Sequence, residues 1–297
     1  MTDRSVSPGQ QLRNLVEQHR PLQVVGAVNA YAGLLARDAG FDALYLSGSG
    51  VASASFGLPD LGYTTLEQVA EDARRIAHAV PLPLLVDADT GWDDPGQTVA
   101  TLSAAGAAGL HLEDQVEAKR CGHRPGKQLV DTPAMVDRLS AAVAGRADGD
   151  DPAFVLMART DAYSVEGLDA AIARAQAYRQ AGADMIFAEA MSSLDEYNTF
   201  CDALDAPVLA NITEFGKTPL FTVDQLRDAG VSLALYPLSA FRAMSAAALD
   251  VYRTLREHGT QQPALGAMQT RDELYRILDY HQHEQAADRL AQPGSPK

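Results

Sequence analysis

The sequence predicts an α/β fold, a (β/α)8 barrel, on three observations. Eight short apolar runs recur along the 297 residues, and segments with helical periodicity separate them. Uninterrupted apolar runs are typical of parallel strands covered on both faces, and helical connections imply parallel pairing. Eight units select the closed barrel, which needs roughly 250 residues and leaves short additions at both ends of this chain.

The eight predicted strands follow one another in a constant β-then-α order. They read QVVGAV from Gln23, ALYLS from Ala43, PLLVDAD from Pro83, AAGLHLED from Ala107, FVLMART from Phe154, DMIFAEA from Asp184, PVLANIT from Pro207 and VSLALYP from Val231. Their short length and their content of β-branched residues favour strands over helical segments.

Capping residues support the helices between these strands. Thr65 precedes LEQVAEDARRIAHAV and Asp131 precedes TPAMVDRLSAAVAG, both at preferred N-cap positions. Four glycines fit left-handed C-terminal stops, namely Gly40, Gly106, Gly182 and Gly230. Segments 239–257 and 270–287 lie beyond the eighth strand and exceed what a closed barrel requires, so extra C-terminal helices are expected.

The chain is expected to form one barrel domain over residues 1–297. Residues 1–10 and 289–297 are predicted to be flexible tails, and GRADGDDP at 145–152 is predicted to be a loop. The last predicted helix carries an apolar stripe of Leu274, Ile277 and Leu278. This stripe motivates the hypothesis that a partner subunit receives that helix.

Composition narrows the class of partner. The chain has 24 basic and 39 acidic residues, a net charge of -15, which opposes binding to nucleic acid or an anionic membrane. Its two cysteines show no zinc-binding spacing and suit a reducing compartment. Neither an apolar signal segment nor a run of 18 apolar residues occurs, so a cytoplasmic protein is expected.

Polar residues close nearly every predicted strand. In barrels of this type the active site lies at the carboxyl ends of the strands, so these side chains are expected to converge on one mouth. They are Ser47, Gly48 and Ser49 after strand two, Asp87 and Asp89 after three, Glu113 and Asp114 after four, Arg159 and Asp161 after five, Glu189 after six, Asn211 and Thr213 after seven, and Arg242 past strand eight.

Asp87 and Asp89 form the candidate metal site. They are two residues apart, so strand alternation points both carboxylates to one side. Magnesium takes one or two protein carboxylates and completes its shell with water and substrate oxygens. Glu113 nearby favours metal over the alternative, a pair of capping or salt-bridged aspartates.

Basic residues around the same mouth predict an anionic substrate. Arg159, Arg242 and the loop from Lys119 to Arg124 gather there in an otherwise acidic chain, and guanidinium groups suit carboxylate or phosphate. The alternative is that each arginine pairs with a local acid such as Asp161 or Glu189. The loop after Gly48 lacks the third glycine of a dinucleotide fingerprint, and the segment 122–127 does not complete a P-loop, so NAD and ATP binding are not supported.

Cys121 is the candidate acid, base or nucleophile. It lies in KRCGHR, where cationic neighbours favour the thiolate over a thiol whose ordinary pKa is about 8.5. The alternative is an inert, buried cysteine beside a solvated basic loop.

Eight motifs together are specific to one family. They are LYLSGSGVA, GLPDLG, PLLVDADTG, GLHLEDQ, KRCGHRPGK, MARTDA, NITEFG and YPLSAFRAM. Over about residues 20–280 the chain resembles the 2-methylisocitrate lyases of the isocitrate lyase and phosphoenolpyruvate mutase superfamily. The resemblance implies cleavage of (2S,3R)-2-methylisocitrate to pyruvate and succinate in the methylcitrate cycle of propionate breakdown. It also implies Mg²⁺, with Mn²⁺ as a substitute, and a homotetramer of barrels with the last helix swapped between subunits.

The resemblance carries binding roles to matching positions. Ser47, Gly48 and Ser49 would bind the pyruvate-like part, and Asp87 with Asp89 would position the metal. The family often reads SGGG where this chain reads SGSG, so one hydroxyl is added near the pyruvate end. Backbone N–H groups remain available there, and activity is expected to survive the change.

Catalytic roles follow in the same way. Cys121 would donate a proton to the departing succinate, Lys119 and His123 would tune it, and Asp60 would stabilise the transition state. The base is left open among Tyr45, a metal-bound group, and acidic groups including Asp60 and Glu113. The other matching positions would bind the substrate and are Gly122, Arg159, Glu189, Asn211, Ile212, Thr213, Arg242 and Arg271.

Closely related activities are the alternatives to this function. A related lyase or hydrolase acting on isocitrate, a dialkylmalate or oxaloacetate shares the barrel and the DAD motif. Phe187 and Leu235 leave room for a methyl group, although one methylene is worth only about 1–3 kcal/mol of discrimination. A carboxylate-binding barrel without catalysis is the alternative of another class, and the intact Cys121 argues against it.

Overall fold

The computed structural model describes residues 6–117 and 126–291, and within them eight parallel strands close into a barrel. Each strand pairs with the next, and β8 pairs with β1. The strands are Leu22–Gly26 (β1), Ala43–Leu46 (β2), Leu84–Asp87 (β3), Gly109–Glu113 (β4), Val155–Thr160 (β5), Met185–Ala188 (β6), Val208–Asn211 (β7) and Leu233–Tyr236 (β8). The predicted (β/α)8 barrel is confirmed.

Helices precede and connect the strands. They are Pro8–Gln18 (α1), Ala30–Asp38 (α2), Gly48–Gly50 (α3), Leu66–Ala79 (α4), Pro95–Ala104 (α5), Thr132–Ala147 (α6), Tyr163–Glu166 (α7), Leu168–Gln180 (α8), Leu194–Asp202 (α9) and Val223–Asp228 (α10). A π-helical turn, Val51–Ser55, follows α3. The described residues end in Ser239–His258 (α11), a 3₁₀ helix Gln262–Ala267, Arg271–Ile277 (α12) and Tyr280–Ala291 (α13).

The predicted capping residues act as caps. Thr65 forms a capping box with Gln68 at the start of α4, and Asp131 accepts a hydrogen bond from the N–H of Ala134 at the start of α6. The four predicted terminal glycines all have positive φ. Local capping therefore reinforces the boundaries that the hydrophobic pattern predicts.

Two apolar layers fill the molecule. Alternate strand residues such as Leu44 and Leu46 point outward into a core shared with the helices, whereas Tyr45 points into the barrel. Helix α1 places Leu12 and Val16 in the inner cluster, which fills the barrel. Apolar side chains occupy most of the interior, so the polar residues cluster at the carboxyl ends of the strands.

Three expectations require correction. The flexible tail predicted for residues 1–10 is wrong for residues 7–10, because Ser7 caps α1 and Gly9 is buried against residues 153–154. The predicted loop 145–152 begins only after Ala147, where α6 ends. The segment 270–287 holds two helices, since Asp279 adopts a φ of 50° between α12 and α13.

The chain divides into two compact units, Met1–Phe241 and Arg242–Lys297. None of the residues of α11 is buried, and Leu249 and Tyr252 are exposed. The expected C-terminal tail, 289–297, lies outside the described residues from 292 onward, and α13 continues to Ala291. No helix among the described residues is long and apolar enough to cross a membrane.

Candidate active site

Nine predicted site residues lie together at the carboxyl ends of the strands, and all nine are buried. They are Ser47, Asp87, Asp89, Glu113, Arg159, Asp161, Glu189, Asn211 and Thr213. The barrel explains this convergence, because every parallel strand ends at the same rim. Their burial makes electrostatic interactions there stronger than they would be in water.

The aspartate side of the mouth is built around Gly48. The Gly48 N–H donates to Asp87 Oδ2 at 3.0 Å, and the Asp89 N–H lies 3.3 Å from Asp87 Oδ1. A Cβ on Gly48 would lie 3.2 Å from Asp87 Oδ2 and 3.3 Å from Asp89 Oδ1. Both carboxylates therefore face a space that glycine keeps open.

The aspartate pair fits a divalent cation. Asp87 and Asp89 supply hard oxygen ligands and are at most 8% exposed. No group of three or more His, Cys, Asp or Glu side chains suited to a metal occurs in residues 6–117 and 126–291. The donor set thus matches magnesium, which takes few protein ligands and adds water and substrate oxygens, rather than a closed zinc site.

Tyr45 and His111 support this side from inside the barrel. The Tyr45 hydroxyl lies 2.8 Å from His111 Nε2, the two rings stack, and the same nitrogen lies 3.5 Å from Asp87 Oδ1. Burial, followed by the charge of Asp87, raises the pKa of Tyr45 well above its ordinary value. These two causes favour a protonated hydroxyl that donates a hydrogen bond over a base at this position.

Arg159 forms the centre of the opposite side. Its Nε and Nη2 lie 3.0 and 3.2 Å from the two oxygens of Asp161, Nη1 lies 3.4 Å from Glu113 Oε2, and Nη2 lies 3.2 Å from Glu189 Oε2. Its guanidinium carbon lies 5.2 Å from the centre of the Phe187 ring. Burial alone would lower the pKa of Arg159, but the carboxylates, led by Asp161, raise it well above its ordinary value.

Asp161 is itself held by several groups. Lys127 Nζ donates to its Oδ1 at 2.7 Å, and its backbone N–H donates to Asp114 Oδ1 at 2.9 Å. Asp114 also accepts hydrogen bonds from Thr160 and Tyr178, and burial raises its pKa. The orientation of Arg159 therefore depends on a chain of buried contacts.

Strands β6 and β7 complete the rim. Asn211 Nδ2 lies 3.4 Å from each carboxylate oxygen of Glu189. Ile212 and Thr213 are buried directly after Asn211. The amide and hydroxyl groups here can hydrogen-bond a polar ligand, while Glu189 also pairs with Arg159.

Other predicted site residues lie elsewhere or cannot be described. Lys119, Cys121, Gly122 and His123 lie outside the described residues, so their predicted roles stay predictions. Asp60 and Ser49 are half-buried, Asp60 in the segment after the π-helical turn and Ser49 within α3. Arg242 and Arg271 belong to the second unit, where both are exposed.

His111 and Lys127 are the site residues that sequence reasoning missed. His111 lies inside the apolar run of β4, and strand alternation could have shown that it shares a side with Glu113. Lys127 follows the KRCGHRPG segment, and no local pattern indicates that it reaches Asp161 at the end of β5.

Known proteins are similar to this chain in sequence and in fold. A sequence profile of the phosphoenolpyruvate phosphomutase family matches residues 12–256. The chain is 57% identical over 288 residues to the 2-methylisocitrate lyase of Salmonella typhimurium, which covers 96% of this chain and 97% of the relative.

Solved structures of other enzymes share the fold at lower identity. A 2,3-dimethylmalate lyase has a TM-score of 0.88 at 32% identity and covers 98% of this chain and 99% of its own. A phosphonopyruvate hydrolase complex with oxalate and magnesium has a TM-score of 0.83 at 27% identity, with coverages of 97% and 100%. The similarity thus extends over both units of the chain.

Proposed function

The chain belongs to the phosphoenolpyruvate phosphomutase family, and within it we propose that it acts as a 2-methylisocitrate lyase. It is a carbon–carbon lyase that cleaves 2-methylisocitrate to pyruvate and succinate in the methylcitrate cycle. The observation that carries this conclusion is the 57% identity to a 2-methylisocitrate lyase over nearly the whole of both chains. The mouth agrees with it, because it holds a buried aspartate pair and a buried arginine.

The two sides of the mouth suit the two ends of such a substrate. On the aspartate side, Ser47 and Gly48 adjoin Asp87 and would bind the part that becomes pyruvate. On the other side, Arg159 would bind a carboxylate of the substrate, since planar guanidinium groups match carboxylates. Asn211 and Thr213 would add hydrogen bonds to the part that becomes succinate.

A magnesium ion, or manganese in its place, would be held by Asp87 and Asp89, directly or through water. When bound, it would stabilise the negative charge that develops on the hydroxyl and carboxylate oxygens of the substrate. Gly48 supports this proposal because a side chain there would enter the space between the two aspartates.

Cleavage requires one proton to leave and another to be delivered. A base removes the proton of the C2 hydroxyl, the C2–C3 bond breaks, and its electron pair goes to C3 as the keto group of pyruvate forms. Cys121 would then give its proton to C3, which completes succinate. Asp60 and Glu113 remain candidates for the base, while the raised pKa of Tyr45 favours a hydrogen-bonding role for that residue.

Related substrates are the nearest alternatives. The structural relatives include 2,3-dimethylmalate lyase, at 32% identity. That value is well below the 57% identity to the 2-methylisocitrate lyase, which supports 2-methylisocitrate over a dialkylmalate. A barrel that binds carboxylates without cleaving them would retain the mouth but release no pyruvate.

The oligomeric state and location are also proposals. A homotetramer with its last helix exchanged between subunits is supported by the exposed apolar residues Leu249, Tyr252 and Leu278. A monomeric mass by light scattering at micromolar concentration would refute it. A cytoplasmic location is supported by the small number of cysteines.

A coupled assay tests the function directly. Pyruvate release is measured with 2-methylisocitrate, isocitrate, 2,3-dimethylmalate and oxaloacetate, each with magnesium, with manganese and with EDTA. We expect pyruvate from 2-methylisocitrate alone at a high rate, and loss of the activity in EDTA. Equal turnover of isocitrate, or turnover that EDTA leaves unchanged, would refute the proposed substrate or metal respectively.

The two cysteines provide a matched test of the proton donor. Cys121→Ser should abolish cleavage, whereas Cys201→Ser should retain it. Burial raises the pKa of Cys201 to about 12, so its thiol stays protonated and unreactive at neutral pH. Iodoacetamide at pH 8 should therefore inactivate the enzyme and label Cys121 before Cys201 in peptide mass mapping. Normal turnover by Cys121→Ser would refute the assigned role.

A further inference from the structure

Lys127 carries a buried ammonium group whose described partner is a carboxylate of the arginine cluster. We propose that Lys127 is a positioning residue for substrate binding, because it holds Asp161 and thereby the guanidinium of Arg159 in the orientation that binds a carboxylate. This inference rests on the proposed function, since it assigns Arg159 to the substrate. It gives Lys127 no contact with the reacting atoms.

Lys127 is buried in the arginine cluster and does not form a surface ion pair. The side chain of Lys127 is 1% exposed and that of Asp161 is 0% exposed, with their charged atoms 2.7 Å apart. Burying a lysine is costly unless its charge is paired and hydrogen-bonded. A surface ion pair would contribute little, whereas this pair fixes the place of both groups.

The backbone places Lys127 here because residues 128–130 pair in antiparallel fashion with residues 114–116. The Val116 N–H donates to the Gln128 carbonyl at 3.0 Å, and the Val130 N–H donates to the Asp114 carbonyl at 2.9 Å. These bonds fix the residues around Lys127 against the end of β4, next to β5. The lysine is therefore presented by an ordered backbone.

Gly126 makes the turn that precedes the lysine. Its φ of 82° lies in the left-handed region that glycine enters without steric cost. Glycine therefore permits the backbone turn that leads into Lys127.

Charge balance connects Lys127 to substrate binding. Among the residues that the structure describes, two cations, Lys127 and Arg159, lie beside three carboxylates, those of Asp161, Glu113 and Glu189. Loss of the lysine would remove one of these two positive charges. An anionic substrate would then meet a more negative site, and Arg159 would be held more tightly by its internal partners.

The geometry assigns the effect to Asp161. Lys127 Nζ and Arg159 Nη2 both approach Asp161 Oδ1, at 2.7 and 3.2 Å, while Arg159 Nε donates to Oδ2. The lysine therefore fixes Asp161 Oδ1, and this oxygen in turn orients Nη2 of Arg159. Loss of either Lys127 or Asp161 should disturb Arg159 in the same way.

Calorimetric titration of the magnesium-loaded protein with oxalate tests the proposal. Lys127→Met should weaken oxalate binding by roughly 10- to 100-fold, the range typical when a residue that orients a binding group is changed. Lys127→Arg, which keeps the charge, should recover part of the affinity. Arg227→Met removes an exposed arginine paired with Asp224 on α10 and should bind oxalate as the wild type does.

A double-mutant cycle separates positioning from general damage. Lys127→Met and Asp161→Asn should combine less than additively in oxalate affinity, because they act through one contact. The double variant also removes the uncompensated buried charge, so it provides a folded protein if Lys127→Met alone is too unstable. In cleavage assays, the KM of Lys127→Met should rise more than its kcat falls.

Clear outcomes would overturn the inference. Wild-type oxalate affinity in Lys127→Met, or fully additive effects in the cycle, would show that the lysine does not act through Asp161. Both results are independent of turnover. A wild-type protein that fails to cleave 2-methylisocitrate would refute the proposed function, while a loss of oxalate affinity confined to the Lys127 and Asp161 variants would still support the positioning role.

Discussion

The two sides of the barrel mouth hold their charges in different ways. On the aspartate side, at the ends of β2 and β3, carboxylate oxygens of Asp87 meet the N–H groups of Gly48 and Asp89. On the arginine side, at the ends of β4 to β6, carboxylates meet the guanidinium of Arg159. One side thus includes neutral donors around its anions, and the other includes full positive charges.

This difference suits one side to metal binding and the other to carboxylate binding. Neutral N–H donors orient a carboxylate but leave its negative charge in place, which suits a divalent cation. Ion pairs offset much of the charge of the carboxylates and hold a guanidinium in a fixed orientation, which suits an incoming carboxylate. Changes on the aspartate side should therefore affect metal binding and turnover, whereas changes on the arginine side should affect anion binding and stability.

The largest expected effect is on the aspartate side. Asp87→Asn removes one charge from the metal site, and kcat/KM should fall by roughly a thousandfold or more, because such electrostatic stabilisation is worth several kcal/mol. The asparagine oxygen can still accept the Gly48 N–H, so the protein should remain folded. Steady-state kinetics during magnesium titration checks this.

Asp42→Asn provides the control for that variant, because Asp42 is exposed and its carboxylate lies 3.9 Å from the imidazole of His19, far from the aspartate pair in the sequence. It should keep wild-type kinetics. An Asp87→Asn enzyme with wild-type activity and magnesium dependence would contradict the division between the two sides.

The next effect is on the arginine side and concerns stability as well as activity. Arg159→Met leaves three buried carboxylates without this guanidinium, and unfolding free energy should fall by about 3–5 kcal/mol. The value of kcat/KM should fall by roughly a hundredfold through weaker substrate binding. Arg159→Lys keeps the charge but lacks the planar fork, so it should lie between wild type and methionine.

Urea denaturation and oxalate titration measure these two quantities. Wild-type stability in Arg159→Met would show that the ion pairs are not important for folding. Unchanged oxalate affinity in a folded Arg159→Met protein would show that Arg159 does not bind the anion. The proposed difference in function between the two sides would then be wrong.

The aspartate side was more predictable from sequence than the arginine side. Asp87 and Asp89 follow a strand two residues apart, so period-two alternation and barrel geometry suffice to place them together. Arg159 was predicted at the mouth for the same reason. Its partners Glu113 and Glu189 come from other strands, and only the closed barrel shows that all three meet.

The remaining misses are non-local. His111 has the sequence context of a core residue, and its contact with Tyr45 crosses the barrel interior from β4 to β2. Lys127 reaches Asp161 only because the chain after Gly126 returns to β4 by backbone pairing, which leaves no periodic signal. Each of the eight strands, by contrast, has a short apolar run as its own local signal, and all eight were predicted.

A single methyl group tests how closely the aspartate side is fitted. In Gly48→Ala, the new Cβ would lie 3.2–3.3 Å from Asp87 and Asp89 oxygens, so the carboxylates must move by a few tenths of an ångström. Magnesium affinity should fall by roughly tenfold, the scale seen when groups that orient metal ligands are changed. Fluorescence titration with Mn²⁺ and activity titration with Mg²⁺ both report it.

Gly50→Ala is the matched control two residues along the same short helix. Its Cβ would meet apolar atoms of Val28 and Leu238 at 3.2 and 3.4 Å rather than carboxylates. Some loss of stability is expected from crowding, with unchanged metal affinity. Equal loss of metal affinity in both variants would trace the effect to the helix and not to the aspartates.

The smallest effect is expected at Ser49, the position where the family often has glycine. The carbonyl oxygen of Ser49 accepts a hydrogen bond from the Ser53 hydroxyl at 2.7 Å, and that contact does not depend on the Ser49 side chain. Ser49→Gly should therefore change kcat/KM by no more than about twofold, while helical glycine lowers unfolding free energy by about 0.5–1 kcal/mol. A tenfold rise in KM would instead show that the Ser49 hydroxyl contacts the substrate, and the aspartate side would then bind its ligand through side chains as well as backbone N–H groups.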